Sequence, residues 1–241
     1  MVLTQREVKA VYIGTNKVRP VESWWQPWPN TLAYYTFDNQ TLLNEATNTV
    51  DATWYSWNWA FGTGYGWTGY SANIWTGWAI AISTHIPTGD FTISSCIKFN
   101  SYPPASWVFY WWFGNLGLNY SRIHCQFVVI DSIPKLQFYQ YDNSANYSAS
   151  DVRASTWTLN SNTWYNFILT RSGSSVSMYL DGQLIGTWTD TRKNSTQTQT
   201  YYLWTAYDAT IRKLDGYMDN VIIESVARTA QEVSDYYNLI S

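Results

Sequence analysis

The sequence predicts an all-β protein, a sandwich or barrel of short strands with one helix at the C-terminal end. Composition and spacing lead there. Trp, Tyr and Phe make up 19% of the 241 residues, and aromatics, like Thr, favour strands. Charged residues are only 13%, roughly half the usual share, and the helix formers Glu and Lys are scarce. From Thr31 onward, turn residues recur about every eight to twelve positions between short apolar runs, the rhythm of a sandwich or barrel. The length suits one large β domain with a sizeable core.

Taken in chain order, Val8–Gly14 alternates well enough for a strand, and Thr15-Asn16 then turns into Lys17–Pro20. Two strands alone are marginal in water, so this hairpin is expected to lean on a neighbour. Pro20, Pro27 and Pro29 make the connection stiff and extended. Residues 1–28 therefore read as an N-terminal hairpin and linker, and 29–241 as the main domain. Strands are expected at 31–37, 74–82, 91–98, 106–114, 123–130, 135–141, 164–170, 175–180, 183–188, 200–205 and 216–225. The clearest pair is Ser175–Leu180 and Gln183–Trp188, because the Asp181-Gly182 between them suits a type I′ turn. The Gly- and Trp-rich stretch Thr53–Trp78 should hold a further strand or two without clear limits. Thr229 and Glu232 have capping-box spacing ahead of Val233, Tyr236, Tyr237 and Ile240, which predicts the helix.

Charge and spacing also exclude functions. The net charge is −3, and the basic pairs Arg192-Lys193 and Arg212-Lys213 are too short for a phosphate-binding stripe, so nucleic acid is not an expected partner. Gln5, Arg6, Glu7, Lys9, Lys17 and Arg19 interrupt any apolar leader within residues 1–20, and residues 52–89 are too mixed for a membrane span. Synthesis and retention in a cytoplasm are expected, with Cys96 and Cys125 as buried thiols rather than a disulfide. His85 and His124 lack metal-ligand spacing, and no Gly-x-Ser-x-Gly elbow occurs. The glutamates Glu7, Glu22, Glu45, Glu224 and Glu232 are too dispersed to share a strand face as a glycosidase pair. A non-catalytic protein is expected.

Several segments resemble one family in order. Leu32–Asp38 resembles the opening strand of laminin-G-like, concanavalin A-like (pentraxin-type) lectin domains. Gly89–Ser94, Trp164–Arg171 with Met178–Gly182, Gly216–Ile223 and Thr229–Tyr237 resemble its later strands and closing helix. The resemblance implies a two-sheet antiparallel jelly-roll sandwich with a short C-terminal helix and ligand-binding loops at the rim. It also implies a structural calcium, at Asp38 and Asp219 with Asn39, and with Asn220 and Asp51 as further candidates; turn-capping by these side chains is the simpler alternative. The Asp-x-Ser-Gly-Asn run common in relatives is absent after Asp38, and so is the Glu-x-Asp-x-x-Glu strand of the glucanases sharing this fold.

The aromatic excess carries the functional expectation. Sugar rings present apolar C–H faces to Trp and Tyr, which offer large contact area at small entropic cost. For any single Trp, core or interface packing is the default. The Gly-laced segment Trp57–Trp78 suits a rim loop better than a central strand. Trp57, Trp59, Trp67, Tyr70, Trp75 and Trp78 are accordingly the expected ligand-binding residues, for a neutral glycan.

Without an export signal, and with a separable N-terminal hairpin, such a lectin suits a bacteriophage virion (tail, baseplate or fibre), where it would serve host recognition and dock on other virion proteins. Val8–Pro20 is similar to short leader segments of phage structural proteins. The alternative is a purely structural virion decoration or assembly protein whose aromatics are buried in subunit interfaces. In either case a homo-oligomer is a candidate assembly. An extracellular adhesin is more distant.

Overall fold

In the computed structural model the chain forms a two-sheet antiparallel sandwich with one C-terminal helix. The structure describes residues 11–13, 16–18, 30–38, 40, 42–46, 51–54, 60–67, 69–74, 80–84, 86–87, 89–100, 108–115, 122–130, 133–141, 152–153, 159–191, 199–203 and 215–241.

The described strands, in chain order, begin with β1 (Val11–Ile13), β2 (Asn16–Val18), β3 (Thr31–Tyr35), β4 (Thr53–Trp54), β5 (Ala60–Thr63) and β6 (Tyr70–Ile74). They continue with β7 (Ile80–Thr84), β8 (Phe91–Phe99), β9 (Val108–Asn115), β10 (Arg122–Ile130), β11 (Ile133–Tyr141) and β12 (Val152–Arg153). The last are β13 (Trp164–Ser172), β14 (Ser175–Leu180), β15 (Gln183–Thr189), β16 (Gln199–Leu203) and β17 (Gly216–Glu224), followed by helix α1 (Ala230–Ile240). A short 3₁₀ turn, Tyr65–Trp67, joins β5 to β6.

One sheet has seven strands in the order β12-β11-β10-β9-β16-β7-β4. The other has eight, β15-β14-β13-β8-β17-β6-β5, with β3 also pairing β17. β17 divides one edge between two partners, β6 beside Gly216–Met218 and β3 beside Val221–Glu224. The change falls at a bulge between Asp219 and Ile222, where Asn220 takes a positive φ of 48°. A bulge bends its strand and re-aims the flanking side chains. The hairpin β1–β2 forms a two-stranded sheet of its own.

Alternation assigns the faces. Ile93, Ile97 and Phe99 of β8, Tyr165, Phe167 and Leu169 of β13 and Met218 of β17 point into the core, where they meet Ile123, Cys125 and Phe127 of β10 and Leu136 and Phe138 of β11. Phe127 binds the sheets together, edge-on to Phe99 at 4.8 Å and to Phe167 at 5.0 Å between ring centroids. Cys96 and Cys125 are buried free thiols on different sheets. Burial raises both thiol pKa values, foremost by desolvation.

Most predicted strands lie within a few residues of the observed ones, and Asp181 and Gly182 take φ values of 49° and 75° as a type I′ turn requires. The expected single strand 74–82 is a correction: Ile74 ends β6 and Ile80 opens β7, on different sheets. The apolar residues on both sides of Thr76-Gly77 hid the change of sheet. The expected first turn is also displaced, since Asn16 pairs with Ile13 inside the hairpin. The stretch from Thr53 holds β4, β5 and β6, which sequence could not delimit.

Helix α1 forms as its cap predicts. Thr229 Oγ1 accepts the Glu232 backbone N–H at 3.3 Å, and the Thr229 N–H donates to Glu232 Oε2 at 2.8 Å. Val233 packs on Ile168 and Tyr179, and Tyr236 bridges to Tyr34, Ala46 and Ile222. The helix thereby covers one half of the outer face of the eight-stranded sheet.

Candidate functional site

The other half of that outer face carries the candidate site. Since Tyr165, Ile97, Met218 and Ala72 face the core, their chain neighbours Trp164, Lys98, Tyr217 and Asn73 face outward. Register places them side by side: Trp164 pairs with Lys98, Lys98 with Tyr217, Tyr217 with Asn73, and Asn73 with Ala60. One row thus crosses β13, β8, β17, β6 and β5. Its first four members are half-buried and Ala60 is exposed.

The row is held from below and from the side. Lys98 Nζ lies 4.2 Å from the ring centroid of Tyr217 and 5.3 Å from that of Trp164. Tyr65, from the 3₁₀ turn, meets Trp164 edge-on at 5.8 Å. Gly62 lets the Tyr217 ring lie across β5, because a Cβ there would sit 2.8 Å from Cδ1 and closer still to Cε1. Desolvation among the rings lowers the Lys98 pKa.

The neighbouring row, one pleat along, is buried and polar. Asn166, Cys96 and Asp219 are register partners there. The Asn166 side chain donates to Cys96 Sγ at 3.4 Å, and its backbone N–H donates to Asp181 Oδ1 at 2.8 Å. Farther along, a cavity of about 30 Å³ lies between α1 and the sheet, lined by Thr92, Ser94, Ile168, Arg228, Val233 and Tyr236. That is room for a water molecule, not for a sugar.

The residues expected from sequence are distributed differently. Trp57, Trp59, Trp75, Trp78 and Asn39 lie outside the described residues. Trp67 is in the 3₁₀ turn, with its side chain outside the described set. Tyr70 is 41% exposed at the start of β6, on the opposite pleat from Asn73 and so not in the row.

Asp38 and Asp219 do come near each other, the Asp38 charge being one of the influences on Asp219. Asp219 is buried; its Oδ2 accepts the Tyr65 N–H and its Oδ1 the Asn220 N–H, each at 2.7 Å. Burial, foremost, and then Asp38 push its carboxyl well above the usual range, while the N–H donors pull it down. Asp38, exposed, accepts the Tyr70 N–H at 3.2 Å, beside Gly69, whose φ of 63° and lack of Cβ keep the approach open. Asp51 instead accepts the Asn44 N–H at 2.9 Å. Calcium takes six to eight oxygen ligands, and among the described residues no group of three or more His, Cys, Asp or Glu side chains could hold a metal. Of the expected ligands the structure describes Asp38 and Asp219, both engaged with backbone N–H groups, and Asn39 lies outside the described residues.

Trp164, Lys98, Tyr217 and Asn73 were not singled out by sequence reasoning. The signal available was the alternation Trp164-Tyr165-Asn166-Phe167, which puts one ring out and the next in, but only pairing shows that three other strands bring partners to the same row.

Residues 75–234 match the profile of the family described as the concanavalin A-like lectin/glucanases superfamily (Laminin_G_3). The chain belongs to this superfamily. Among solved structures, this superfamily member is similar to domain 4 of AbnA, an extracellular arabinanase of Geobacillus stearothermophilus in complex with arabinotriose. The TM-score is 0.68 at 17% identity, over 86% of this chain and 97% of the other. It is also similar to the binding domain of botulinum neurotoxin DC in complex with SialylT, with TM-score 0.67, 12% identity and coverage of 88% and 52%. The binding domain of Paraclostridial mosquitocidal protein 1 gives TM-score 0.68, 14% identity and coverage of 87% and 52%. The chain therefore spans about half the length of the toxin binding domains it matches. At these identities the likeness is one of fold. No curated protein sequence matches the chain.

Proposed function

We propose that the protein is a non-catalytic, lectin-like domain that binds a glycan on the outer face of its eight-stranded sheet. The observation that carries this reading is the row Trp164–Lys98–Tyr217–Asn73, half-exposed and adjacent across consecutive strands. Aromatic rings give a sugar's C–H face a rigid apolar surface, and the Asn73 amide and Lys98 ammonium provide hydrogen-bond donors for its oxygens. Superfamily membership supports it, as do similar folds in a domain solved with arabinotriose and in toxin binding domains. Trp57, Trp59, Trp67, Tyr70, Trp75 and Trp78, in the segment between β4 and β7, remain part of the proposed ligand-binding set.

The finer proposal places this domain on a bacteriophage virion, docked through the N-terminal segment, with calcium completing a structural site at Asp38 and Asp219. Support for the docking comes from β1–β2, which pairs with neither sandwich sheet.

A glycan array tests the proposal, using purified protein with calcium and again with chelator, alongside Trp164→Ala, Tyr217→Ala and Trp67→Ala. Loss of binding in the first two variants with folding intact supports the outer-face row. Loss in Trp67→Ala alone moves the site to the rim. No binding by folded wild-type protein overturns the lectin reading in favour of a structural virion protein with aromatics sealed in interfaces.

A further inference from the structure

We infer that the glycan residue held by this row carries an anionic group, a carboxylate or sulfate, that pairs with Lys98. The inference rests on the glycan reading above and specifies its ligand class.

Lys98 stands second in the row, one strand away from Trp164 on one side and from Tyr217 on the other. Two aromatic faces hold its ammonium at 5.3 Å and 4.2 Å. Ring faces attract a cation but do not accept hydrogen bonds as oxygens do, and an ammonium has three N–H donors to satisfy. Among the described residues no carboxylate pairs with it: the ion pairs there are Arg228 with Glu224 and with Glu232, on the helix side of the same face. Of the two carboxylates two residues either side of Tyr217, Asp219 accepts the N–H groups of Tyr65 and Asn220, and Asp215 accepts the Asn100 side-chain amide at 2.8 Å.

A half-buried cation between rings, with no counter-ion among the described residues, is an arrangement that an incoming anion completes. A charge-assisted hydrogen bond is roughly twice as strong as a neutral one. The flanking rings select for a ligand with an apolar face beside its charge, which an acidic sugar has and inorganic phosphate lacks. The protein's net charge of −3 provides no general attraction for polyanions, so recognition is local to this lysine. An anionic membrane surface or nucleic acid, which need several basic contacts, is disfavoured on the same ground.

The test uses matched probes that differ only in charge: sialyllactose against lactose, oligogalacturonate against its carboxyl-reduced form, and a sulfated oligosaccharide against its desulfated form. Titration calorimetry on the full chain should give at least one pair whose acidic member binds about tenfold or more tightly, weakening with salt. Lys98→Met, which keeps the aliphatic stem, should lose that preference, and Lys98→Arg should retain most of it, with thermal midpoints no more than a few degrees below the wild type. Equal binding of acidic and neutral members overturns the charge inference while leaving the lectin reading in place. Lys98-dependent binding of acidic peptides or phosphatidylserine vesicles, with no sugar bound, overturns both, as does binding to nothing in any set.

Discussion

Replacing Gly62 by Ala would separate the surface row from the core. Gly62 lies on β5 beneath the ring of Tyr217, and an added Cβ would fall 2.8 Å from Cδ1, nearer to Cε1, and 3.4 Å from Cζ. Carbon atoms settle at about 3.5–4.0 Å, so the ring must withdraw by about 1 Å or swing outward. Gly62 is not among the positive-φ glycines, so the backbone accepts alanine and only the ring has to give. Tyr217 is half-exposed and has solvent to move into. The stability cost is then its contact with Lys98, about 0.5–1 kcal/mol, which lowers the thermal midpoint of a chain this size by no more than about 4 °C. Displacing one of two rings that flank the ligand should weaken glycan binding by about 1 kcal/mol or more, about fivefold in dissociation constant. Calorimetric titration and thermal unfolding on the same preparations measure both. Wild-type affinity with an unchanged midpoint would refute the assignment of Tyr217 to the binding surface. A fall of well over 10 °C would show instead that the ring belongs to the fold.

Other perturbations address the helix, the metal proposal and the thiols. Arg228→Ala leaves Glu224, 3% exposed, without its two-point guanidinium partner; urea unfolding should show a loss of about 3 kcal/mol or more, and a loss below about 1 kcal/mol would mark the pair as a surface ornament. Thr229→Ala should cost about 1 kcal/mol through the lost cap. Backbone and side-chain hydrogen bonds from Thr229, with Arg228 nearby, hold the Glu232 pKa below its ordinary 4.5. The unfolded chain therefore takes up this proton first, so the stabilisation is present above about pH 4.5 and fades as pH falls through the folded value. Thermal midpoints of wild type and Glu232→Gln should accordingly converge in acid and diverge above pH 5. Calcium held at Asp38 and Asp219 should raise the midpoint, with Asp38→Asn abolishing the rise; no response at millimolar calcium overturns that proposal. Cys96 and Cys125, buried and with raised pKa values, should resist alkylation until the chain unfolds. Rapid labelling of native protein would contradict their placement.

The sandwich was legible because its local signals agree with one another: alternation in β13 and β14, Asp181-Gly182 between β14 and β15, and Thr229 with Glu232 at the head of α1. Legibility failed where a local signal stops carrying positional information. The apolar run around Ile74–Ile82 reads equally well as one strand or two, and only tertiary pairing assigns its ends to different sheets. The outer-face row was out of reach of the sequence for a related reason. A Trp in a strand is inward or outward according to its parity, and parity follows from a register that sequence alone does not set. Tyr165 and Phe167 are core while Trp164 is half-exposed, although all three look alike in composition.

The outer face divides into two halves of different chemistry. Its helix-covered half is closed by Val233 and Tyr236 and anchored by the Glu224–Arg228–Glu232 ion pairs, so those charges are answered within the chain. Its open half has the converse composition: rings that remain half-exposed around a single cation that no described carboxylate answers. Apolar area alone would make that half a general adhesive surface. The lysine converts it into a selective one, because any ligand that buries Lys98 without supplying an anion bears the desolvation cost of an ammonium. Selectivity would then come as much from penalising neutral ligands as from attracting acidic ones. Lys98→Met should therefore improve binding of the neutral member of a probe pair even as it weakens the acidic one. A simple loss of both would assign Lys98 to packing rather than to recognition.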